Sequence, residues 1–422
     1  MKITFISHLQ YKRRIDMKVQ ERFLKYVTFD TQSDENSQTT PSSLKQLKLA
    51  KYLVDELKNI GVANAYVDEF GIVYGSLLAN CEANCPKIGF IAHMDTSPDM
   101  SGENVKPRII ENYDGSDIIL NEKLNIHMGP NDFESLNRNI GENLIVTDGT
   151  TLLGADDKAG IAEIMTMLET IIQKNLPHGD IKIAFTPDEE VGRGTDHFNV
   201  KAFDADFAYT VDGGEVEFID YENFNAASAV LDIQGLSIHP GSAKGKMINA
   251  LLVGMEFHSM LPVEQNPAYT EGYEGFNHLT DMHGECEHAH MSYIIRNHDE
   301  TLFEQQKEDF KRIADYLNKK YPENTITLQI TDSYANMRQI IEQNMNIIEL
   351  VKKSMEEIGL QPASAAIRGG TDGARLTYEG LPCPNLGTGG YNYHGKYEYV
   401  SINEMEKSVA LLLKIVENSL KL

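Results

Sequence analysis

The stretch Thr150-Thr151-Leu152-Leu153-Gly154-Ala155-Asp156-Asp157-Lys158-Ala159-Gly160 sets two adjacent carboxylates after a glycine and before a helical repeat. Ile161, Ile164, Met165, Leu168 and Ile172 then recur at helical spacing. Alone, such a pair reads as a helix N-cap with favourable charge. Further carboxylates and histidines give it a second meaning. His93-Met94-Asp95 closes the apolar run Lys87-Ile88-Gly89-Phe90-Ile91-Ala92. Strand alternation puts His93 and Asp95 on one face. A metal-binding imidazole needs a partner for its other nitrogen, and a carboxylate two residues on can supply it. Glu189-Glu190 follows the strand-like Ile181 to Thr186. Adjacent glutamates point different ways, so one can hold a metal while the other meets water as general base.

Asp212-Gly213-Gly214 closes a third apolar run, Phe207 to Val211, and its glycines permit close approach. His394 stands in the loop Gly389-Gly390-Tyr391-Asn392-Tyr393-His394-Gly395. Two histidines and three carboxylates, with one carboxylate left over as base, fit two borderline-soft cations sharing a carboxylate. They fit a single tetrahedral structural zinc less well. A bridged pair about 3.5–4 Å apart activates water and polarises a carbonyl.

Other signals carry less. His283-x-x-Cys286-x-His288-x-His290 has the alternation of a strand. Gly241 to Lys246 lacks the spacing of a phosphate loop and the Ser or Thr after its lysine. Cys81-x3-Cys85 is not a redox C-x-x-C. Arg368-Gly369-Gly370-Thr371-Asp372-Gly373 reads equally as an anion cradle, for a substrate carboxylate, or as a tight turn with a paired arginine.

The elements that must position these residues alternate strand with helix, and the polar groups gather at the strands' carboxyl ends. That pattern predicts an α/β fold with a mixed, largely parallel sheet. Asp99 to Ile140 has little periodicity and reads as a long functional loop. After about Asn223 the grammar changes to β-α-β-β-α-β, a ferredoxin-like α+β module of about 110 residues. The α/β pattern then resumes near Ile340, so the module is an insertion. The expected organisation is an N-terminal extension over 1–16, a first catalytic part over 17–223, the inserted unit over 224–334, and a second catalytic part over 335–422.

The 422 residues are 41% hydrophobic and 24% charged, as in a globular protein with ample core. The formal charge of −25 disfavours nucleic acid and anionic membrane as partners. No apolar run reaches the roughly 20 residues needed to span a bilayer. Four irregularly spaced cysteines suggest free thiols in a reducing cytoplasm.

Gly-Ala-Asp-Asp-Lys-Ala-Gly, His-Met-Asp-Thr, Pro-Asp-Glu-Glu-Val-Gly, Val-Asp-Gly-Gly, Ile-Arg-Gly-Gly-Thr-Asp-Gly-Ala and Gly-Gly-Tyr-Asn-Tyr-His-Gly occur in this order. Together they resemble the peptidase T family of tripeptide aminopeptidases, within the di-zinc aminopeptidase and carboxypeptidase superfamily. The likeness runs from about Met17 to the C-terminus. It implies a zinc-peptidase-like catalytic domain and two zinc ions per subunit. His93 and Asp212 would hold one zinc, Glu190 and His394 the other, and Asp156 both. Asp95 would orient His93, Glu189 would be the general base, and the Asp156–Asp157 peptide would be cis. The insertion is similar to the family's lid and dimerisation domain, implying a homodimer through residues 224–334. His239 would steady an oxyanion, Asn249 and Arg296 would contact substrate, and Arg368 would hold the peptide's far end. The implied substrates are short peptides, tripeptides above all. A dipeptidase, an N-acyl amino acid deacylase and a non-catalytic metal or peptide binder share the same ligand set.

Overall fold

The Ile88–His93 strand is buried along its whole length and lies at the centre of a seven-stranded sheet. The computed structural model describes residues 17–81 and 85–422; the expected extension over 1–16 lies outside them. Ile88–His93 pairs in parallel with Ile181–Thr186 on one side and with Phe207–Gly213 on the other. Asn385–Gly387 continues the parallel set beside Phe207–Gly213. The margins are antiparallel: Val73–Leu77 and Tyr66–Val67 on one side, Ile219–Asp220 on the other. Continuous apolar runs make the inner strands because both of their faces are covered. The Ala155–Lys174 helix contributes Ile161, Ile164, Met165 and Leu168 to the core, each fully buried. The Gln46–Ile60 and Ile402–Ser419 helices share that core.

The stretch expected as a long loop instead contains short strands. Arg108–Ile110 pairs with Leu144–Val146, which pairs with Tyr399–Ser401, which pairs with Gly390–Tyr391. Ile118–Asn121 and Ile126–Met128 pair with each other. Strands of three or four residues are too short to print a period. Leu144–Val146 pairs with Tyr399–Ser401, about 255 residues on, where no local signal reaches. The small sheet holds the two arms that carry His394 between them.

The inserted unit follows the expected β-α-β-β-α-β order. Its antiparallel sheet runs Phe276–Gly284, His288–Asn297, Asn225–Gln234, Ile326–Tyr334. The Ala250–Met260 and Glu300–Lys320 helices pack against it, with Leu231, Phe257, Tyr293, Phe310 and Leu317 in a core separate from that of the large sheet. The two chain crossings between the units are tied to each other. Asn223 Oδ1 accepts from the Met337 N–H at 2.8 Å, and Asn225 Oδ1 accepts from the Asn336 N–H at 2.9 Å.

Candidate metal centre and active site

His93 ends the central strand and Asp212 nearly ends its neighbour, so parallel pairing brings both to the carboxyl edge of the sheet. Asp156 arrives from the N-terminus of the Ala155–Lys174 helix, which crosses the same edge. That approach is close: a Cβ on Gly160 would lie 1.8 Å from the Val211 carbonyl oxygen, so only glycine fits. His93 Nε2 lies 2.7 Å from Asp156 Oδ1 and 3.4 Å from Asp212 Oδ1. The second oxygen of Asp156 faces His394 Nε2 at 3.4 Å, and His394 Nε2 lies 2.9 Å from Glu190 Oε2. Asp156 thus reaches both histidines, one with each oxygen. All five residues expected to bind metal are together, and the Asp156–Asp157 peptide is cis, as expected.

Asp95 is completely buried and organises two features. Its carboxylate lies 3.3 Å from His93 Nδ1, while its backbone carbonyl is 3.1 Å from the same nitrogen. Its two oxygens also accept the N–H groups of Glu189 at 3.0 Å and Glu190 at 3.2 Å. The turn carrying the two glutamates is therefore fixed to the end of the histidine strand.

The charges are costly as they stand. Burial lifts the Glu190 carboxyl to about 8 and the Asp212 carboxyl to about 6, and the Asp156 carboxylate adds to both. Glu189 is raised well above the carboxylate range, first by burial and then by Asp212, Asp372 and Glu190. His394, hydrogen-bonded to Asp156 and Glu190, is pushed up to about 11. Glu190 Oε1 is buried with no hydrogen-bond partner. Ligand atoms of His93, Asp156 and Glu190 all lie within 4.8 Å of one another, as do those of His93, Asp157 and Asp212. Gathered nitrogen and oxygen donors, excess negative charge and an orphan oxygen fit divalent cations.

Asp156, Glu189, Glu190, Asp212 and His394 line a cleft of about 790 Å³ between the large sheet and the inserted unit. Arg296 and Tyr334 enter from the inserted unit, with the guanidinium 5.3 Å from the Tyr334 ring centre. The other three residues expected to touch substrate are elsewhere. The Arg368 guanidinium donates to the carbonyls of Gly272 and Glu274 and stacks on Phe224. Asn249 caps the Ala250–Met260 helix by accepting from the Leu252 N–H. His239 Nδ1 accepts from the Gly241 N–H on the exposed surface of the inserted unit.

Several residues with no role in the sequence reading support the site. Glu398 accepts three backbone N–H groups, from Leu153, Gly154 and Asp156. Burial still pushes its carboxyl up to about 7. Asp157 accepts from the His93 N–H at 3.1 Å and the Gly160 N–H at 3.2 Å. Arg375 pairs with Asp196 at 2.6 Å and donates to the Gly192 carbonyl, holding the loop after Glu190. Only Asp157, adjacent to Asp156, had a local signal.

A profile of the peptidase family M20/M25/M40 matches residues 148–418. Peptidase T of Caldanaerobacter subterraneus is 56% identical over 401 residues, covering 95% of this chain and 98% of that protein. This chain belongs to the peptidase T family. It is a hydrolase of the M20 class with a metal-binding site. Solved structures share its fold. An aminopeptidase PepT from Bacillus cereus matches with a TM-score of 0.76 at 22% identity, covering 96% of this chain and 99% of that one. A tripeptidase from Staphylococcus aureus matches at 0.77 and 21%, covering 97% and 99%.

Proposed function

We propose that this enzyme is a tripeptide aminopeptidase that releases the N-terminal residue of short peptides with two zinc ions. The observation that carries the reading is Asp156, each of whose oxygens faces a different histidine. His93 and Asp212 would hold one cation, Glu190 and His394 the other, and Asp156 both. The nitrogen and carboxylate donors suit zinc among the divalent metals. When bound, the cations would acidify a water and polarise the scissile carbonyl.

Glu189 does the proton work. Its carboxylate lines the cleft and makes no ion pair among the described residues. From that position it would take a proton from the attacking water and hand it to the departing amine. Asp95 fixes the Glu189 backbone and the His93 ring, so base and ligand share one anchor. Arg296 offers the peptide's carboxylate a guanidinium fork. Arg368 would act at the far end through the loop it ties down. The inserted unit would serve as a lid over the cleft.

His239 and Asn249 would meet substrate only through lid closure or a second copy of the chain. Leu252 at 60% exposure and Met255 at 58%, with Met260 and Val263 near them in sequence, present an apolar surface beside Asn249. This supports a homodimer through residues 224–334. The four cysteines are free, which supports a cytoplasmic location.

The test is Glu189→Ala. Metal content should stay at the parent level while kcat on a tripeptide falls by roughly 10²–10⁴. Parent-level turnover in the variant would remove Glu189 from the mechanism.

A further inference from the structure

The cleft has one acidic corner that the proposed mechanism leaves without a task. Ile219–Asp220 is the marginal strand of the large sheet, antiparallel to Asn385–Gly387, and Asp220 is the direct register partner of Asn385. Directly opposed residues project their side chains to the same face. Both line the cleft that also holds Glu189, Glu190 and Asp212. Neither belongs to the metal-binding groups.

Both carry unmet acceptor capacity. Asn385 is 2% exposed, and its Oδ1 has no hydrogen-bond partner. A buried amide oxygen left unpaired is a recurrent cost, and a rotation of the amide exchanges which end it presents. The Asp220 carboxyl receives the Ala365 backbone N–H, and no lysine, arginine or histidine pairs with it among the described residues. Besides His394, which is held by Asp156 and Glu190, the basic side chains that line the cleft are Arg296 and Arg375. Arg375 is paired with Asp196, and Arg296 enters from the inserted unit. A desolvated carboxylate beside an orphaned carbonyl oxygen lacks a cationic donor with several N–H groups. An ammonium is the side-chain-sized group that fits.

We propose that Asp220 and Asn385 form a subsite for a substrate ammonium group. This deepens the aminopeptidase reading and rests on it. With Arg296 lining the same cleft from the inserted unit, the cleft then presents an anionic and a cationic contact. A short zwitterionic peptide carries the complementary pair, one charge at each end. The ammonium has two possible sources, the α-amine that defines an aminopeptidase substrate or the side chain of a basic residue. Their shared chemistry is what the subsite reads.

The experiment compares the zinc-loaded parent with Asp220→Asn and Asn385→Leu. One pair of substrates is Ala-Gly-Gly and propionyl-Gly-Gly, which lacks only the amine. The other is Lys-Gly-Gly and norleucyl-Gly-Gly, which differ at the side-chain terminus. Inhibition constants are measured alongside kcat/KM, so that recognition is read without turnover. If the α-amine is the occupant, Asp220→Asn lowers the parent's preference for Ala-Gly-Gly over its desamino analogue at least 10-fold and leaves the lysine preference alone. If a side chain is the occupant, the second preference collapses instead. Asn385→Leu should move the same ratio in the same direction. Ratios are internal to each variant, so partial misfolding does not imitate the result. Both ratios unchanged in an active Asp220→Asn protein would overturn the subsite alone. A zinc-loaded parent that cleaves no tripeptide would overturn the aminopeptidase reading, and the subsite with it.

Discussion

Glu398 accepts the backbone N–H of Asp156 at 3.0 Å, across 242 residues of sequence. Its other oxygen accepts the N–H groups of Leu153 and Gly154 at 2.7 and 2.8 Å. One buried carboxylate therefore sets the turn that presents Asp156 to both histidines. Glu398→Ala would leave three N–H groups without a partner, each orphan costing about 1–3 kcal/mol. The expected outcome is a lower Tm and a metal affinity weakened 10- to 100-fold, read by a zinc-chelator competition titration. Wild-type affinity in the variant would mean that the turn holds its shape without Glu398.

Asp95 should behave as a positioning residue. Asp95→Asn keeps the volume but turns one acceptor into a donor facing the Glu189 or Glu190 N–H groups. Metal affinity is expected to fall 10- to 100-fold. kcat should fall further than metal loading explains, because Glu189 moves with its backbone. Activity measured at saturating zinc separates the two effects.

How much of this was legible in the sequence depends on how far each signal travels. His93, Asp95, Glu190 and Asp212 end or follow apolar strands, so a local pattern placed them at one sheet edge. Asp156 was legible from the helix that starts at its position. Glu398 was not: it sits between two tyrosines, and its three partners lie more than 240 residues away. The small sheet around residues 108–146 was hidden for the same reason, since its strands are short and its Leu144–Val146 strand pairs with Tyr399–Ser401. Arg368 lies in a motif that suggested substrate contact, yet its guanidinium meets the carbonyls of Gly272 and Glu274. Motif spacing names a residue type for a site but not the direction its side chain takes.

Glu163 gives a pH-dependent prediction away from the metal cluster. It is fully buried; Oε2 accepts from Ser408 Oγ at 2.6 Å and Oε1 has no partner. Burial, with Glu404 nearby, raises its carboxyl well above the ordinary range. Between the unfolded pKa, about 4.3, and the raised folded value, the folded state binds the extra proton. Stability contributed by protonated Glu163 is therefore present below about pH 4 and is lost as pH rises toward the folded value. Glu163→Gln should match the parent near pH 4 and melt higher at pH 8. Each kcal/mol of relief corresponds to roughly 1–2 °C in a chain of this length, and melting curves across pH would show the gap widening upward. A gap that narrows with pH would mean that Glu163 is ionised in the folded state throughout.

The most direct measurement is hydrolysis of an unblocked tripeptide, with products separated by chromatography, before and after a chelator and again after zinc is returned. The expected result is release of the N-terminal amino acid and a dipeptide, lost with the metal and restored with it. Unchanged cleavage by the fully stripped protein, or no cleavage by the zinc-loaded one, would contradict a metal aminopeptidase built on Asp156.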